Sequence, residues 1–175
     1  MKLYVHIMLL ALALTGVAGC DRKHTAAGDG TVVAHGAHRG TCFYDSALVC
    51  DSLGDMAGAL HYYAFALDNL RKTSGTELAR TIYCSRAGIY SREGMYDECE
   101  ADLNAALGLS RMVSDTASVI IGLEALAKNY ILSGEVDSAR SYHDQAEGLC
   151  RACPELRGIP GILLAAASYH CLLYT

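Results

Sequence analysis

From about Cys42 onward, apolar side chains recur at spacings of three and four, and a glycine interrupts them at fixed intervals. Leu123, Leu126, Ala127 and Tyr130 share one helix face, because successive residues turn by about 100°. Gly134 follows, where a helix end needs a left-handed residue. Val136, Ala139, Tyr142 and Ala146 form a second stripe. The same plan occurs twice upstream. Phe43, Ala47 and Cys50 precede Gly54, and Ala59, Tyr63 and Ala66 follow it. Tyr83, Ala87 and Tyr90 precede Gly94, and Tyr96, Leu103 and Ala106 follow it. The three glycines open similar phrases 40 residues apart: Gly54-Asp55-Met56-Ala57-Gly58-Ala59, Gly94-Met95-Tyr96-Asp97-Glu98-Cys99 and Gly134-Glu135-Val136-Asp137-Ser138-Ala139. Fixed-period similarity of this length marks a repeat architecture. The pattern predicts an all-α fold of about three antiparallel helix pairs. Ala47, Ala87 and Ala127 belong where the two helices of a pair approach closely, with Ala59 and Ala139 opposite. Larger side chains there would force the helices apart.

The end of the chain carries one more helical stretch, Ile159 to Tyr174, after the break at Cys153-Pro154. It reads as the first helix of a fourth pair. Its Cys171-Leu172-Leu173-Tyr174 end is apolar, whereas a terminal capping helix needs a polar outer face. Self-association through this helix, or a longer parent chain, is the expectation.

The beginning changes the picture of where the protein resides. Lys2 is followed by the apolar run Ile7 to Leu14, which has the length of an export signal and falls short of the ~20 apolar residues of a membrane span. Val17-Ala18-Gly19-Cys20 resembles a bacterial lipobox. That resemblance implies cleavage before Cys20 and a lipid on its sulfur. The lipid would anchor the chain to a bacterial membrane, inner or outer, facing the periplasm. The domain plan is then a signal peptide over 1–19, a flexible tether over 20–41 and a helical repeat domain over 42–175. The tether is rich in Gly, Ala and small polar residues, a composition that buries too little surface to offset backbone entropy. Loss of the signal removes Lys2 and no acid, so the remainder is more acidic than the whole chain at −5. Acidity argues against a nucleic-acid partner and against electrostatic docking on anionic lipid.

Across roughly Thr41 to Cys150, the large apolar residue, Ala, Tyr, Gly, Ala and Ala at matching offsets resemble the tetratricopeptide repeat (TPR) family. The chain departs from the family in its 40-residue period, against about 34. It also places Cys99 where Ala is usual, and it lacks the Pro that commonly starts the turn between units. The resemblance implies a right-handed superhelical array, an α-solenoid, whose concave groove is lined by the first helix of each pair. Carried onto this sequence, the groove candidates are Tyr44, Leu48 and Asp51, then Cys84, Gly88, Ser91 and Arg92, then Glu124, Lys128 and Ile131. The set is mixed in charge and lacks the Lys and Asn clamp for a peptide carboxyl terminus. The expected function is a lipid-anchored scaffold that binds a protein or peptide partner in this groove. The alternatives are the sensory or oligomerisation part of a longer TPR regulator, and a truncated inactive product.

Chemistry adds little. Cys150-Arg151-Ala152-Cys153 has the spacing of a redox disulfide or half a zinc site, but a helix precedes it and no second pair completes a metal set. Lipidation of Cys20 leaves seven cysteines, several on helix stripes where Cys acts as a small hydrophobe. His35, His38 and Cys42 sit in Gly-rich surroundings that preorganise poorly. No phosphate loop, nucleophile elbow or metalloprotease motif stands out. The sequence therefore points away from an enzyme, a cofactor or a metal.

Overall fold

The computed structural model describes residues 30–70 and 75–174; the expected signal, Cys20 and residues 21–29 lie outside them. The described residues form α1 (Gly30–Leu53), α2 (Met56–Leu70), α3 (Thr76–Arg92), α4 (Tyr96–Met112), α5 (Thr116–Ser133) and α6 (Val136–Ala152). A 3-10 turn (Pro154–Gly158) and α7 (Pro160–Leu173) complete them. No strand occurs among the described residues. The fold is all-α, with consecutive helices packed in pairs and a further C-terminal helix.

The predicted glycines end α1, α3 and α5, with φ of 80°, 73° and 90° at Gly54, Gly94 and Gly134. Each glycine amide donates to the carbonyl three residues back, and the next amide donates to one five residues back: Glu135 to Tyr130, Met95 to Tyr90 and Asp55 to Cys50. This closure satisfies the last helical carbonyls and turns the chain back at once. The end of α4 uses the same two bonds, Ser114 to Arg111 and Asp115 to Ser110. There the left-handed residue is Ser114, at φ 57°. Carboxylates start two helices: Asp55 Oδ1 accepts from the Gly58 amide at 2.9 Å, and Asp115 Oδ1 from the Ser118 amide at 3.0 Å.

The chain divides at Ile82 into two compact units. In the first, α1 and α2 form a hairpin around Ala47, Ala59, Tyr63 and Ala66, all fully buried. Phe43 faces Tyr62 and Phe65 across it, with ring centroids 6.5 and 5.5 Å apart. Helix α1 begins at Gly30, so residues 30–41, expected as tether, are helical. One small residue that read as linker, Gly40, instead permits close packing, since a β-carbon there would lie 2.8 Å from Leu70 Cγ.

In the second unit, Ala87, Cys99, Leu103, Ile120, Leu123 and Leu126 share one core cluster. A smaller cluster joins Ala127 of α5, Ala139 of α6 and Tyr169 of α7. These are the alanine contacts that the sequence placed between paired helices. Gly122 brings α5 close to α4, since a β-carbon there would lie 3.3 Å from Leu107 Cδ1.

Candidate interaction face

Helices α1 and α5 each leave one stripe in solvent, whereas Thr81, Ser85 and Gly88 at the equivalent positions of α3 are half-buried. In the first unit α1 exposes Thr41, Asp45, Leu48 and Ser52, spaced four, three and four. In the second unit α5 presents Ile121, Ala125, Lys128 and Leu132 at the same spacing, with Ala125 half-buried and the rest exposed. Arg92 of α3 holds the place in its repeat that Ser52 and Leu132 hold in theirs, and it too is exposed. The α5 stripe combines apolar side chains with a cation: Ile121 and Leu132 are each 37% exposed, on either side of Lys128.

Three of the eight principal groove candidates occupy stripe positions of their own helices: Leu48 on α1, Arg92 on α3 and Lys128 on α5. The other five, Tyr44, Asp51, Ser91, Glu124 and Ile131, each sit one residue before a stripe position. A slip of one residue rotates a side chain by about 100° around the helix, which carries these five toward the core. Tyr44 packs against Tyr63, with centroids 6.1 Å apart. Asp51 and Ser91 are half-buried. Ile131 packs on the Ala127–Ala139–Tyr169 cluster. Glu124 is the plainest correction: it is 3% exposed and turned into the protein. Of the two remaining residues carried over from the family, Cys84 is exposed and Gly88 half-buried.

Glu124 belongs to a polar layer behind the face. Its carboxylate oxygens lie 2.9 and 3.1 Å from His143 Nδ1 of α6. The His143 ring stacks on Tyr169 of α7 at 4.0 Å and meets His170 edge-on at 5.0 Å. Burial raises the Glu124 pKa above its ordinary range, and the His143 hydrogen bond opposes that rise. A second polar tie joins α3 to α4. Arg86 donates twice to Asp102, at 2.6 and 2.5 Å, with its guanidinium 5.7 Å from the Tyr83 ring centroid and 5.9 Å from that of Tyr90. A third is the Asn129 side chain, which donates to the Tyr96 carbonyl at 3.0 Å. These ties fix the orientation of the first helices, and so the direction of their exposed stripes.

An open cleft of about 470 Å³ lies between α4 and α6, lined by Asn104, Arg111, Tyr130, Ser141 and Tyr142 among others. Tyr130 and Tyr142 stack there at 5.3 Å, and the Tyr130 hydroxyl donates to Glu100, which raises its pKa. Among the described residues the cysteines form no disulfide, and no group of three or more His, Cys, Asp or Glu fit for a metal occurs. No described helix is long and apolar enough to cross a membrane. No protein-family model matches this sequence, and no curated protein matches it.

Of the stripe positions on α1 and α5, Thr41, Asp45, Ser52, Ile121, Ala125 and Leu132 were not among the candidates read from the sequence. One signal could have found them: the stripe lies about opposite the alanine that contacts the paired helix. Arg86–Asp102 and Glu124–His143 left no such signal, because their partners lie 16 and 19 residues apart, on different helices.

Proposed function

We propose that this chain is a lipid-anchored TPR scaffold on a bacterial membrane, and that it holds a partner protein against the exposed stripe of α5. The observation that carries the reading is the stripe itself. Ile121, Lys128 and Leu132 stay in solvent on a helix whose other faces are buried. Exposed apolar side chains beside a cation suit an extended segment or helix with apolar anchors and an acidic residue. The lipobox-like Cys20 supports the anchor, and the 40-residue repeat of Ala, Gly and Ala supports the TPR assignment. An anchored scaffold acts by raising the local concentration of what it holds.

The test is crosslinking in native cells, followed by pull-down and mass spectrometry of the wild type, Lys128→Glu and Ile121→Asp. Both substitutions lie on the exposed stripe, so thermal melts should match the wild type. A partner enriched with the wild type and lost from both variants supports the proposal. Partners indifferent to both changes sink it. Cys20→Ser tests the anchor separately: the chain should leave the membrane fraction.

A further inference from the structure

Among the described cysteines, Cys150 and Cys153 are the two closest in sequence, at the end of α6. The helix runs through Ala152, and the Cys153 amide still donates to the Leu149 carbonyl at 2.9 Å. Three helical steps place the two α-carbons about 5 Å apart, inside the roughly 4.4–6.8 Å span of a disulfide. Both side chains are half-buried, so neither is sealed from solvent. By contrast, Cys42 and Cys50 lie eight residues apart on α1, about 12 Å along its axis.

A regular helical turn holds β-carbons three residues apart at about 5–6 Å, wider than the roughly 3.5–4.5 Å of a disulfide. One end must therefore be able to turn. Cys153 is that end. It is the C-cap, at φ −124° and ψ 74°, already outside the helical region, and Pro154 after it begins a separate 3-10 turn. Cys150 is the anchored end. It packs against the core cluster of the second unit, as do Leu156 of the 3-10 turn and Ile159 at the start of α7. The pair therefore straddles the joint through which α6 hands the chain to α7.

We propose that Cys150 and Cys153 are a disulfide site, closed by a low-molecular-weight disulfide such as oxidised glutathione, and that the bond locks the last turn of α6 to the joint with α7. The Cys153 thiolate attacks one sulfur of the reagent, which forms a mixed disulfide and releases one thiolate. The Cys150 thiolate then attacks the Cys153 sulfur, closing the protein disulfide and releasing the second. The two cysteine protons end on the two released thiols, so two protein thiols are oxidised and one disulfide is reduced. A redox catalyst keeps its nucleophilic cysteine at a helix N-terminus, whose dipole favours the thiolate. This pair lies at a C-terminus, which suits a lock. An exported chain, as proposed above, meets such oxidants. The site is separate from the α5 stripe and from the anchor, and it stands if either fails.

The test incubates the full chain with oxidised glutathione, without denaturant, then blocks it with iodoacetamide and digests it with trypsin. Arg151 lies between the two cysteines, so trypsin cuts inside the loop. The peptides Ser141–Arg151 and Ala152–Arg157 should stay joined until a reductant separates them. Cys150→Ser should instead retain glutathione on Cys153, the trapped mixed disulfide. Amide exchange across 149–159 should slow by at least ~3-fold on oxidation, because local opening becomes rarer. Cys153→Ser should abolish that change, and circular dichroism should find the variant folded, since only one half-buried sulfur is replaced. Separate, blocked peptides overturn the proposal, as does a disulfide from either cysteine to a third. A bond that forms while amide exchange stays unchanged overturns the lock.

Discussion

Cutting the Arg86–Asp102 tie should cost very different amounts from its two ends. The pair is asymmetric: the Asp102 side chain is 6% exposed and that of Arg86 is 19%. Arg86→Met leaves a buried carboxylate that has lost both donors. Removing one partner of a buried pair typically costs ~3–5 kcal/mol, because the other charge stays desolvated. Asp102→Leu leaves a guanidinium that still lies near the Tyr83 and Tyr90 rings and still reaches water. Its loss should be near ~1–3 kcal/mol, the range for losing hydrogen bonds to a charged group. The double variant removes both charges from a site packed with apolar neighbours, and should recover to within ~2 kcal/mol of the wild type. Urea unfolding of the four proteins gives the cycle. The expected coupling is at least ~2 kcal/mol and favourable. Equal losses from the two single changes, with an additive double, would refute the desolvated-pair reasoning.

Three further outcomes follow from single sites. Ser114 holds a left-handed conformation at φ 57°, so Ser114→Gly should stabilise the protein by ~1 kcal/mol and Gly134→Ala should destabilise it by a similar amount, read as opposite shifts in Tm. Burial raises the Glu124 pKa in the folded state, so its contribution to stability is full below its ordinary value of 4.5 and is lost as pH rises through the folded value. Denaturation midpoints of wild type relative to Glu124→Gln should therefore decline as pH climbs through that window, and a flat difference would contradict the assignment. Burial pushes the Cys99 thiol up to about 11, so iodoacetamide at neutral pH should modify exposed Cys171 in the native protein and reach Cys99 only after unfolding, as peptide mass spectrometry would resolve.

The helix pairs were legible in the sequence because three independent local signals agree at each. The stripe of Tyr83, Ala87 and Tyr90 sets a helix, Gly94 stops it, and the stripe from Tyr96 begins the next. Each acts over one or two turns, a range that periodicity reports well. The end of α4 carried no glycine, yet Ser114 closes it with the same hydrogen bonds. The start of α1 was misread for a related reason. Glycine signals a linker by its backbone freedom, but Gly40 is small where Leu70 presses on α1, and that contact joins residues 30 positions apart.

The exposed stripes of α1 and α5 were legible to within one residue, and on a helix that margin decides which side chains meet solvent. Lys128 and Glu124 are one turn apart and looked like neighbours on one face. Lys128 lies in solvent, whereas Glu124 is buried against His143. The error arose because the buried sector on these helices is wide. Leu123, Glu124, Leu126, Ala127 and Asn129 are all buried on α5, since α4, α6 and α7 each pack against it. A helix with three packed neighbours keeps only a narrow stripe free, about one residue per turn. Apolar spacing alone locates the centre of the buried sector but not its edges, and the stripe lies between those edges. A polar residue at an edge, such as Glu124, reads as surface until the helix that supplies its partner is in place. In a repeat of this kind the reliable sign of an open face is therefore its position relative to the close-contact alanine, and polarity is the weaker guide.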